Sequence, residues 1–551
     1  MPALRGRSPA KRDRAHASQS IAMTSRTIAV GGTSYPLVLP NVRDPRLHVA
    51  AVIITIHVLG QIGLHFSVSV PQILAAILAS AVLEVALTFR QSRAFVWPAS
   101  AMLTGSGVAL ILRVVGTPPD QPWNTDYWYI FAGVAVFSLL TKYVIRYRGS
   151  HVFNPSNIGL VVAFVVLGST LVEPLDFWWG PLNIWLVIAY AVIVGGGLLI
   201  TRRLRLLGLA AAFWLTLLVS LGVLAGSGHC MTANWAFAPV CGVDYWRVIV
   251  ISPEVLIFLF FMITDPKTTP TGQVGRVVFG ILVAIASTLL MAPQTDEFGT
   301  KVALLAGLVA MCAARPLIDR LVPVPGSATD QIRGFASRVA FGEGSRRTAR
   351  AFGRIALAVG AVFLVGTGIV LAGTPARSPS PPDTAAVLDR VPHQVDPATF
   401  PDINIATDVT DWDHEIAGQG ARDIVMTLAE NLELENQAML RDDASILPVV
   451  DHGDRLKEMQ RRLQESSASG RTVIEHYQFD SLDMSLIEPF GVQTGLSLGL
   501  AAQGTKTEET YDATGSLLES HDAPFTTTFV MRRALGDRWL NVAVLPAEDG
   551  S

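Results

Sequence analysis

The chain has 551 residues, of which 50% are hydrophobic and only 16% are charged. Because a soluble protein carries about 25% charged residues, this composition excludes an ordinary soluble globular protein. The apolar residues lie in blocks of about 20, the length that crosses ~30 Å of hydrocarbon, so the sequence predicts a polytopic membrane protein.

The net charge of −3 conceals an uneven distribution along the chain. Up to Gly373 there are 29 Lys and Arg residues against 15 Asp and Glu, whereas from Thr374 onward there are 13 against 30. An asymmetry of this size indicates two bodies in different surroundings. We therefore expect a basic membrane domain followed by an acidic domain.

Residues 1–46 are rich in Arg and contain no long apolar segment, so we predict a basic, disordered cytoplasmic tail rather than a signal peptide. Eleven apolar segments follow, each long enough for a membrane span. Their approximate limits are residues 47–66, 70–89, 95–113, 127–145, 155–172, 183–200, 207–225, 248–264, 277–293, 302–319 and 355–372.

The basic residues predict the orientation of these spans. With the N-terminus inside, the inner segments hold 26 Lys and Arg residues and the outer loops hold 3. The positive-inside rule therefore predicts a cytoplasmic N-terminus in a bacterial cell membrane, and the odd number of spans places the C-terminal domain outside the cytoplasm. Trp97-Pro98 and Ser252-Pro253 open spans three and eight, which favours inverted repeats of five spans each.

The predicted fold class is thus an all-α membrane domain, with 5+5 inverted-repeat spans plus one extra span, followed by an extracytoplasmic α+β domain. The ten-span domain covers residues 47–325, and residues 326–373 form a basic inner segment with the eleventh span. A stiff Pro/Ser linker at 374–390 leads into the acidic domain at 391–551.

The acidic domain has helical periodicity and then strand-like segments. The predicted helices are 421–440 and 454–464, the strands are 472–479, 496–502, 525–532 and 538–545, and a hairpin turn lies at 511–515. This order resembles the cone-shaped nuclear-transport-factor-like domains.

A polar turn joins spans eight and nine at Thr264-Asp265-Pro266-Lys267-Thr268. Asp265 could cap span nine, pair with Arg276, hold an ion or bind the polar edge of a cofactor. Because a plain helix crosses a bilayer with its backbone satisfied, a proline-interrupted polar turn favours a site.

A second motif, Phe153-Asn154-Pro155-Ser156-Asn157, opens span five. Asn154 suits a helix cap, whereas the amide of Asn157 enters the membrane and requires a partner. Thr104 lies in a small-residue stretch of span three, which predicts close helix packing and also permits a flat ligand to approach.

Other polar residues favour structural roles. Glu84 and Glu254, inside apolar spans, indicate a polar pathway or interior pairing, and we expect a satisfied interior histidine at His57. Cys230 and Cys241 suit a disulfide on the outer side, and Cys312 suits packing. The sequence predicts no metal site, no nucleic-acid surface and no identifiable catalytic residue.

Several of these segments occur together in a known family. They are Leu103-Thr104-Gly105, Phe153-Asn154-Pro155, residues 261–268 (FMITDPKT), Gly275-Arg276 and residues 315–319 (RPLID). Over about residues 45–325 the chain resembles the RnfD/NqrB family, the membrane subunits of Rnf and Na+-translocating NADH:quinone reductase complexes. The stretch 173–181 (EPLDFWWGP) resembles the UnbU-type branch, found with enediyne biosynthesis clusters.

The resemblance implies a ten-span flavoprotein subunit that passes electrons in an ion-pumping assembly of membrane redox subunits. In the family, flavin mononucleotide (FMN) is attached to a threonine of a Ser-x-Ala-Thr segment. That segment lies between the Phe-Asn-Pro motif and the Asp-Pro motif. Here no Ala-Thr pair occurs between Ser169 and Thr264, and the similar segments 326–329 and 512–514 lie elsewhere. We therefore expect any FMN to be non-covalent.

The leading hypothesis is a membrane component with flavin-linked electron transfer coupled to ion movement. Its cofactor-binding residues would be Thr104, Asn154, Asn157, Thr264, Asp265 and Thr268. One alternative is a non-redox membrane transporter or accessory protein of enediyne-type secondary metabolite biosynthesis. Another is a scaffold whose extracytoplasmic domain binds a protein or small molecule.

Overall fold

The computed structural model describes residues 24–30, 33–42, 44–64, 66–117, 121–175, 184–327, 329–335, 347–376, 387–388, 400–487, 497–534 and 538–546. A helix occupies each of the eleven predicted spans. The helices are α1 Pro45–Ile62, α2 Val70–Ser92, α3 Ala99–Ile111, α4 Trp128–Val144, α5 Pro155–Leu167, α6 Ile184–Arg203, α7 Leu207–Gly226, α8 Gly242–Val250 with α9 Pro253–Ile257, α10 Gln273–Met291, α11 Glu297–Leu321 and α12 Arg347–Ala372.

These helices make the chain a multi-pass membrane protein. By length and composition, seven stretches of the described residues are able to cross a membrane, with α8, α9 and the turn after them forming one such stretch. The helices α3, α4 and α5 and the segment Val359–Ala372 are shorter apolar helices. The predicted fold class, a polytopic helical domain followed by an α+β domain, is confirmed.

Local sequence explains where several of these helices begin. Ser69 and Gln72 form a reciprocal capping box at the start of α2. Asn154 and Ser252 cap α5 and α9 through their side-chain oxygens, and a proline follows each cap, where its missing N–H costs no helical hydrogen bond. The proline-containing segments are therefore helix starts.

The eighth span is broken. It runs from α8 into α9 at Ser252-Pro253 and ends in a π-helical turn, Phe258–Met262. Such π-helical turns occur frequently at functional sites. The turn delivers the chain directly into the polar segment at Thr264 and Asp265.

The helix packing follows the expected repeat. In the first half α2 packs on α4, α4 on α5 and α1 on α3; in the second half α7 packs on α10, α10 on α11, and α6 on α9 and the π-helical turn. Corresponding helices also meet across the halves, α1 with α6 and α5 with α11. This is the pattern that two five-helix repeats related by a pseudo-two-fold axis produce.

The N-terminal segment differs from the prediction. Residues 24–39, expected to belong to a disordered tail, form an antiparallel hairpin of β1 Thr24–Val30 and β2 Thr33–Leu39. The short strand β3 Phe95–Val96 adds to β2 in parallel. The alternating apolar residues of β2 and this third strand give the hairpin an attachment to the membrane domain, which composition alone did not indicate. Residues 1–23 lie outside the described part.

Short strands build both ends of the bundle. At the predicted outer end, β4 Leu112–Val114 pairs with β7 Val172–Pro174, and β8 Cys230–Ala233 pairs with β9 Ala236–Cys241. At the other end, β5 Arg146–Tyr147 pairs with β6 Ser150–His151. A Cys230–Cys241 disulfide closes the β8–β9 hairpin, as predicted.

The C-terminal domain is a five-stranded sheet with helices packed against it. The strands, in sheet order, are β10 Asp402–Ile405, β11 Arg471–Ile487, β12 Ser497–Asp512, β13 Leu517–Arg533 and β14 Trp539–Pro546, and only the β10–β11 pair is parallel. The helices are α13 Thr407–Trp412, α14 Gln419–Arg441, α15 Leu447–Val450 and α16 Gly453–Ser469.

The predicted helices and strands of this domain all occur, but the strands β11, β12 and β13 are longer than expected. Cross-strand pairs such as Met484 with Leu500 and Leu500 with Phe529 form the core beneath α14. The hairpin turn lies where predicted, with Asp512 accepting from the backbone N–H groups of Thr514 and Ser516. The resemblance to nuclear-transport-factor-like domains stays a prediction, and most of the linker lies outside the described residues.

Candidate functional site

The polar cluster at the inner end of the bundle is built where α5, α11 and the turn after the π-helix meet. The Asn154 amide donates to the Met262 carbonyl oxygen, at 3.2 Å. Its side-chain oxygen accepts from Asn157 N–H and Ser156 Oγ. One asparagine thus caps α5 and fixes the end of the π-helical turn.

Asn157 lies one turn further into the membrane and is 1% exposed. Its amide donates to the Leu305 carbonyl oxygen of α11, at 3.0 Å. This bond gives the amide the partner that its depth requires. The side-chain oxygen of Asn157, Oδ1, has no hydrogen-bond partner among the described residues, so it is an acceptor available to a ligand.

Asp265 is held by its own turn and by a histidine. Its Oδ1 accepts from the Lys267 N–H at 2.9 Å, and its Oδ2 lies 3.1 Å from His151 Nε2. The alternative in which Asp265 pairs with Arg276 does not hold, because that guanidinium donates to the carbonyl oxygens of Pro270 and Arg205.

The cap of span nine is also not Asp265. The Asp330 carboxylate accepts from Val274 N–H at 3.0 Å, in the first turn of α10, and from Gly326 N–H at 3.1 Å. Burial raises the pKa of Asp330, but these backbone N–H donors outweigh burial and lower it overall. A carboxylate more than 50 residues away therefore takes the role expected of Asp265.

The threonines of the turn are buried and mainly hold its shape. Thr264 donates to the Phe260 carbonyl oxygen and Thr268 to that of Asp265. Thr269, which the sequence reasoning missed, is fully buried with no partner for its hydroxyl among the described residues. Cys312 of α11 is buried and interacts with Thr268. His151 was also missed, although it lies three residues before Asn154.

Five of the six predicted cofactor-binding residues therefore contribute to one inner cluster, and Thr104 is the exception. Its hydroxyl donates to Ser100 within its own helix. The neighbouring Gly105 lies so close to α2 that a Cβ there would be 2.3 Å from the Ala76 carbonyl oxygen. The small-residue stretch thus serves close helix packing, as predicted for it.

The ionisable residues inside the spans are paired, as expected. Lys142 donates to Glu84 at 2.8 Å, and Lys301 lies 3.3 Å from Glu254. His57 lies 3.2 Å from the hydroxyl of Ser106. These groups thus have interior partners and carry no separate site.

A second polar region lies at the opposite end of the bundle, where the C-terminal domain docks. Arg113 and Glu173 of the membrane domain pair with each other. Arg113 also pairs with Asp454, and Glu173 with Lys457, both on α16. Each domain contributes one cation and one anion, so the contact is self-neutralising. Most of the segment 173–181 that begins with Glu173 lies outside the described residues.

Two residues next to this contact have shifted pKa values. Burial lowers the pKa of His452 to about 4, so the ring is neutral at pH 7 where it lies 3.0 Å from the Asn234 carbonyl oxygen. Burial, together with the charge of Glu435, raises the pKa of Asp451 well above its ordinary value. Exclusion of water is the largest cause of both shifts.

Similarity to a family model covers the second half of the ten-span domain. Residues 169–325 match the family model described as the NQR2, RnfD, RnfE family. This part of the membrane domain is therefore similar in sequence to the RnfD/NqrB family. A similar protein is the RnfD component of the ion-translocating oxidoreductase complex of Escherichia fergusonii, 26% identical over 277 residues, or 40% of this chain and 75% of that protein. The corresponding RnfD component in Citrobacter koseri is 26% identical over 306 residues, or 45% and 83%.

Both polar regions of the membrane domain lie at least partly inside the matched range. The inner cluster draws Asp265, Thr268 and Cys312 from it, and the outer region draws Glu173 and Asn234. The C-terminal domain, from Asp402 onward, lies beyond the matched residues.

Proposed function

We propose that this protein is a membrane electron-transport component that works with other membrane redox subunits, as its RnfD relatives do in the ion-translocating oxidoreductase complex for which they are named. The observation that carries the proposal is the family match combined with a buried polar cluster at the end of a π-helical turn. The N-terminus would be cytoplasmic and the C-terminal domain extracytoplasmic. Coupling to ion movement is part of the same proposal.

The inner cluster fits a non-covalently held FMN. The available acceptor of Asn157 suits an N–H donor on the polar edge of a flavin, and the Thr269 hydroxyl has no partner in the described part of the chain. Lys267 and the arginines of the inner segments supply positive charge for a phosphate. No Ala-Thr attachment pair occurs between Ser169 and Thr264.

When bound, flavin supplies the electron transfer itself. The chain would supply position and electrostatics. Asn154 and Thr264 hold the π-helical turn in place, and Asp265 fixes the following turn while it orients His151. The buried side chains of the cluster exclude water from this end of α5 and α11.

The test is the absorbance spectrum of purified full-length protein, before and after acid precipitation. We expect a yellow protein whose flavin is released into the supernatant. Flavin that stays in the pellet would show covalent attachment and contradict the proposed binding mode. A colourless protein from flavin-replete cells would contradict the redox function.

The second candidate is the non-redox membrane protein of secondary metabolism, of the enediyne-associated UnbU type. A cavity of about 460 Å³ between the two domains favours it, because this volume suits a small organic ligand. A colourless protein that binds such a ligand would support this candidate over the first.

A further inference from the structure

The cavity at the domain junction is formed by both parts of the chain. Ser169, Glu173 and Lys301 lie on its membrane-domain side, and Asp451 and Leu456 lie on the side of the C-terminal domain. It is at the opposite end of the bundle from the Asp265 cluster. An inference about this cavity therefore stands apart from the flavin proposal.

Part of the wall is apolar. Phe298 and Pro174 of the membrane domain lie opposite Pro448, Leu456 and Leu540 of the C-terminal domain. Binding sites for small organic molecules are mainly apolar with a few fixed polar groups. The shape and lining of this cavity therefore suit a ligand with an apolar body.

The charged part of the wall is predominantly negative. Among the described residues, the carboxylates of Glu173, Asp296, Glu297 and Asp451 line it, against the two lysines Lys301 and Lys457. Both lysines are already paired, Lys301 with Glu297 at 2.9 Å and Lys457 with Glu173. The acidic C-terminal domain adds to the negative potential, which attracts cations and repels anions.

Asp451 provides a specific acceptor in this wall. Asp451 is 1% exposed, and neither of its carboxylate oxygens has a hydrogen-bond partner among the described residues. Charged groups that act on Asp451 are Glu435, Arg455 and Glu458. Arg455 donates to Glu435 and Glu458 rather than to Asp451. A donor from a ligand would therefore be the missing partner of Asp451.

We propose that the cavity binds a small organic molecule with an apolar body and a protonated amine, the amine directed at Asp451. An ammonium group satisfies a buried carboxylate by a charge-assisted hydrogen bond. A phosphate-bearing cofactor such as FMN would meet the surplus of carboxylates. The two ends of the bundle thus have opposite ligand preferences.

The experiment measures binding of dansylcadaverine, an aromatic primary amine, to the full chain in nanodiscs, with empty nanodiscs as the baseline. We expect saturable binding with a blue-shifted fluorescence. Asp451→Asn should weaken the affinity at least tenfold, and Leu456→Trp should abolish binding by filling the cavity. Glu465→Gln, which removes an exposed carboxylate of α16, the helix that carries Leu456, should leave the affinity unchanged.

Three results would overturn the proposal. The first is no saturable binding to the wild-type chain. The second is equal affinity for a neutral dansyl amide without the amine, or displacement of the probe by FMN. The third is unchanged affinity in Leu456→Trp, which does not alter any charge and so tests the site even if Asp451→Asn does not fold. The colour of the protein, which tests the flavin proposal, is independent of all three.

Discussion

Asp265 shows how one carboxylate can organise a turn at the end of a membrane span. Its Oδ1 accepts from Lys267 N–H and its backbone carbonyl accepts from Thr268, so the turn closes on itself. Its Oδ2 then remains for His151, which comes from the first half of the bundle. The carboxylate therefore joins the two halves as well as shaping the turn.

Asp265→Asn should reduce flavin content while preserving the fold. The amide oxygen can still accept from Lys267 N–H, but the charge beside His151 is lost, and a hydrogen bond to a charged group contributes about 1.5–3 kcal/mol. We expect at least a tenfold weaker retention of flavin, measured by absorbance per mole of protein. Asp319→Asn, which removes the partner of Arg315 at the same end, is the matched control, and equal loss in both variants would contradict a specific role.

The ionisation of Asp451 makes the stability of the C-terminal domain depend on pH. Its folded-state pKa is raised by burial and by Glu435, so the stability that it contributes is fully present below its unfolded pKa of about 3.9. That contribution is lost as the pH rises through the folded pKa. The folded state then contains a buried, uncompensated carboxylate.

We therefore expect Asp451→Asn to protect α14 and α16 against hydrogen exchange better than the wild type does at pH 8, and to show no advantage near pH 4. The measurement is hydrogen exchange of the full chain, read on the peptides of these two helices. Glu465→Gln should follow the wild type at both values. A variant less protected than the wild type at pH 8 would mean that Asp451 is ionised and stabilising.

At the scale of elements, sequence reasoning located the spans because uninterrupted apolar blocks and prolines at helix starts are local signals. Asn154 was recognised as a cap for the same reason. The Asp330 cap of α10 and the Arg113–Asp454 pair were not found, since their partners are 56 and 341 residues apart. Nothing local distinguishes such carboxylates from solvated ones. The β1–β2 hairpin was missed because the prediction for residues 1–46 rested on their basic composition as a whole, although Arg26 alone is basic within residues 24–39.

The β8–β9 hairpin allows the predicted sidedness to be tested. Cys230 and Cys241 are joined, and the other cysteine of the chain, Cys312, is buried in α11. We expect a membrane-impermeant maleimide to label intact cells only after a reductant is added, at two sites per chain. The double variant Cys230→Ser, Cys241→Ser should then remain unlabelled. Labelling that requires broken cells would place this hairpin in the cytoplasm and reverse the orientation.

At the scale of the whole molecule, the docked domain agrees with the span count. An odd number of spans should place the C-terminal domain at the end of the bundle opposite the Asp265 turn, and it contacts Arg113, Glu173 and Asn234 there. His452 adds a pH dependence to this contact. Burial lowers the pKa of His452 to about 4. Its contribution to the stability of the contact is therefore complete above about pH 6.5 and is lost as the pH falls through 4.

The charge pattern of the junction predicts how docking responds to substitution. Removing one partner of a buried pair costs about 3–5 kcal/mol, because the other charge is left unpaired. Lys457→Glu or Glu173→Lys alone should therefore weaken docking. The double variant Glu173→Lys, Lys457→Glu places two cations on the membrane domain against two anions on α16, and it should restore docking.

Zero-length carbodiimide coupling followed by mass spectrometry measures this directly. The wild type should yield a Glu173–Lys457 amide cross-link, both single variants should lose it, and the double variant should regain a cross-link between the same two positions with the groups exchanged. The Glu465→Gln chain should couple as the wild type does. Among these chains, 1 M salt should reduce coupling least in the wild type, because its ion pair is buried. If the double variant does not regain the cross-link, then shape, rather than these four charges, fixes the C-terminal domain to the bundle.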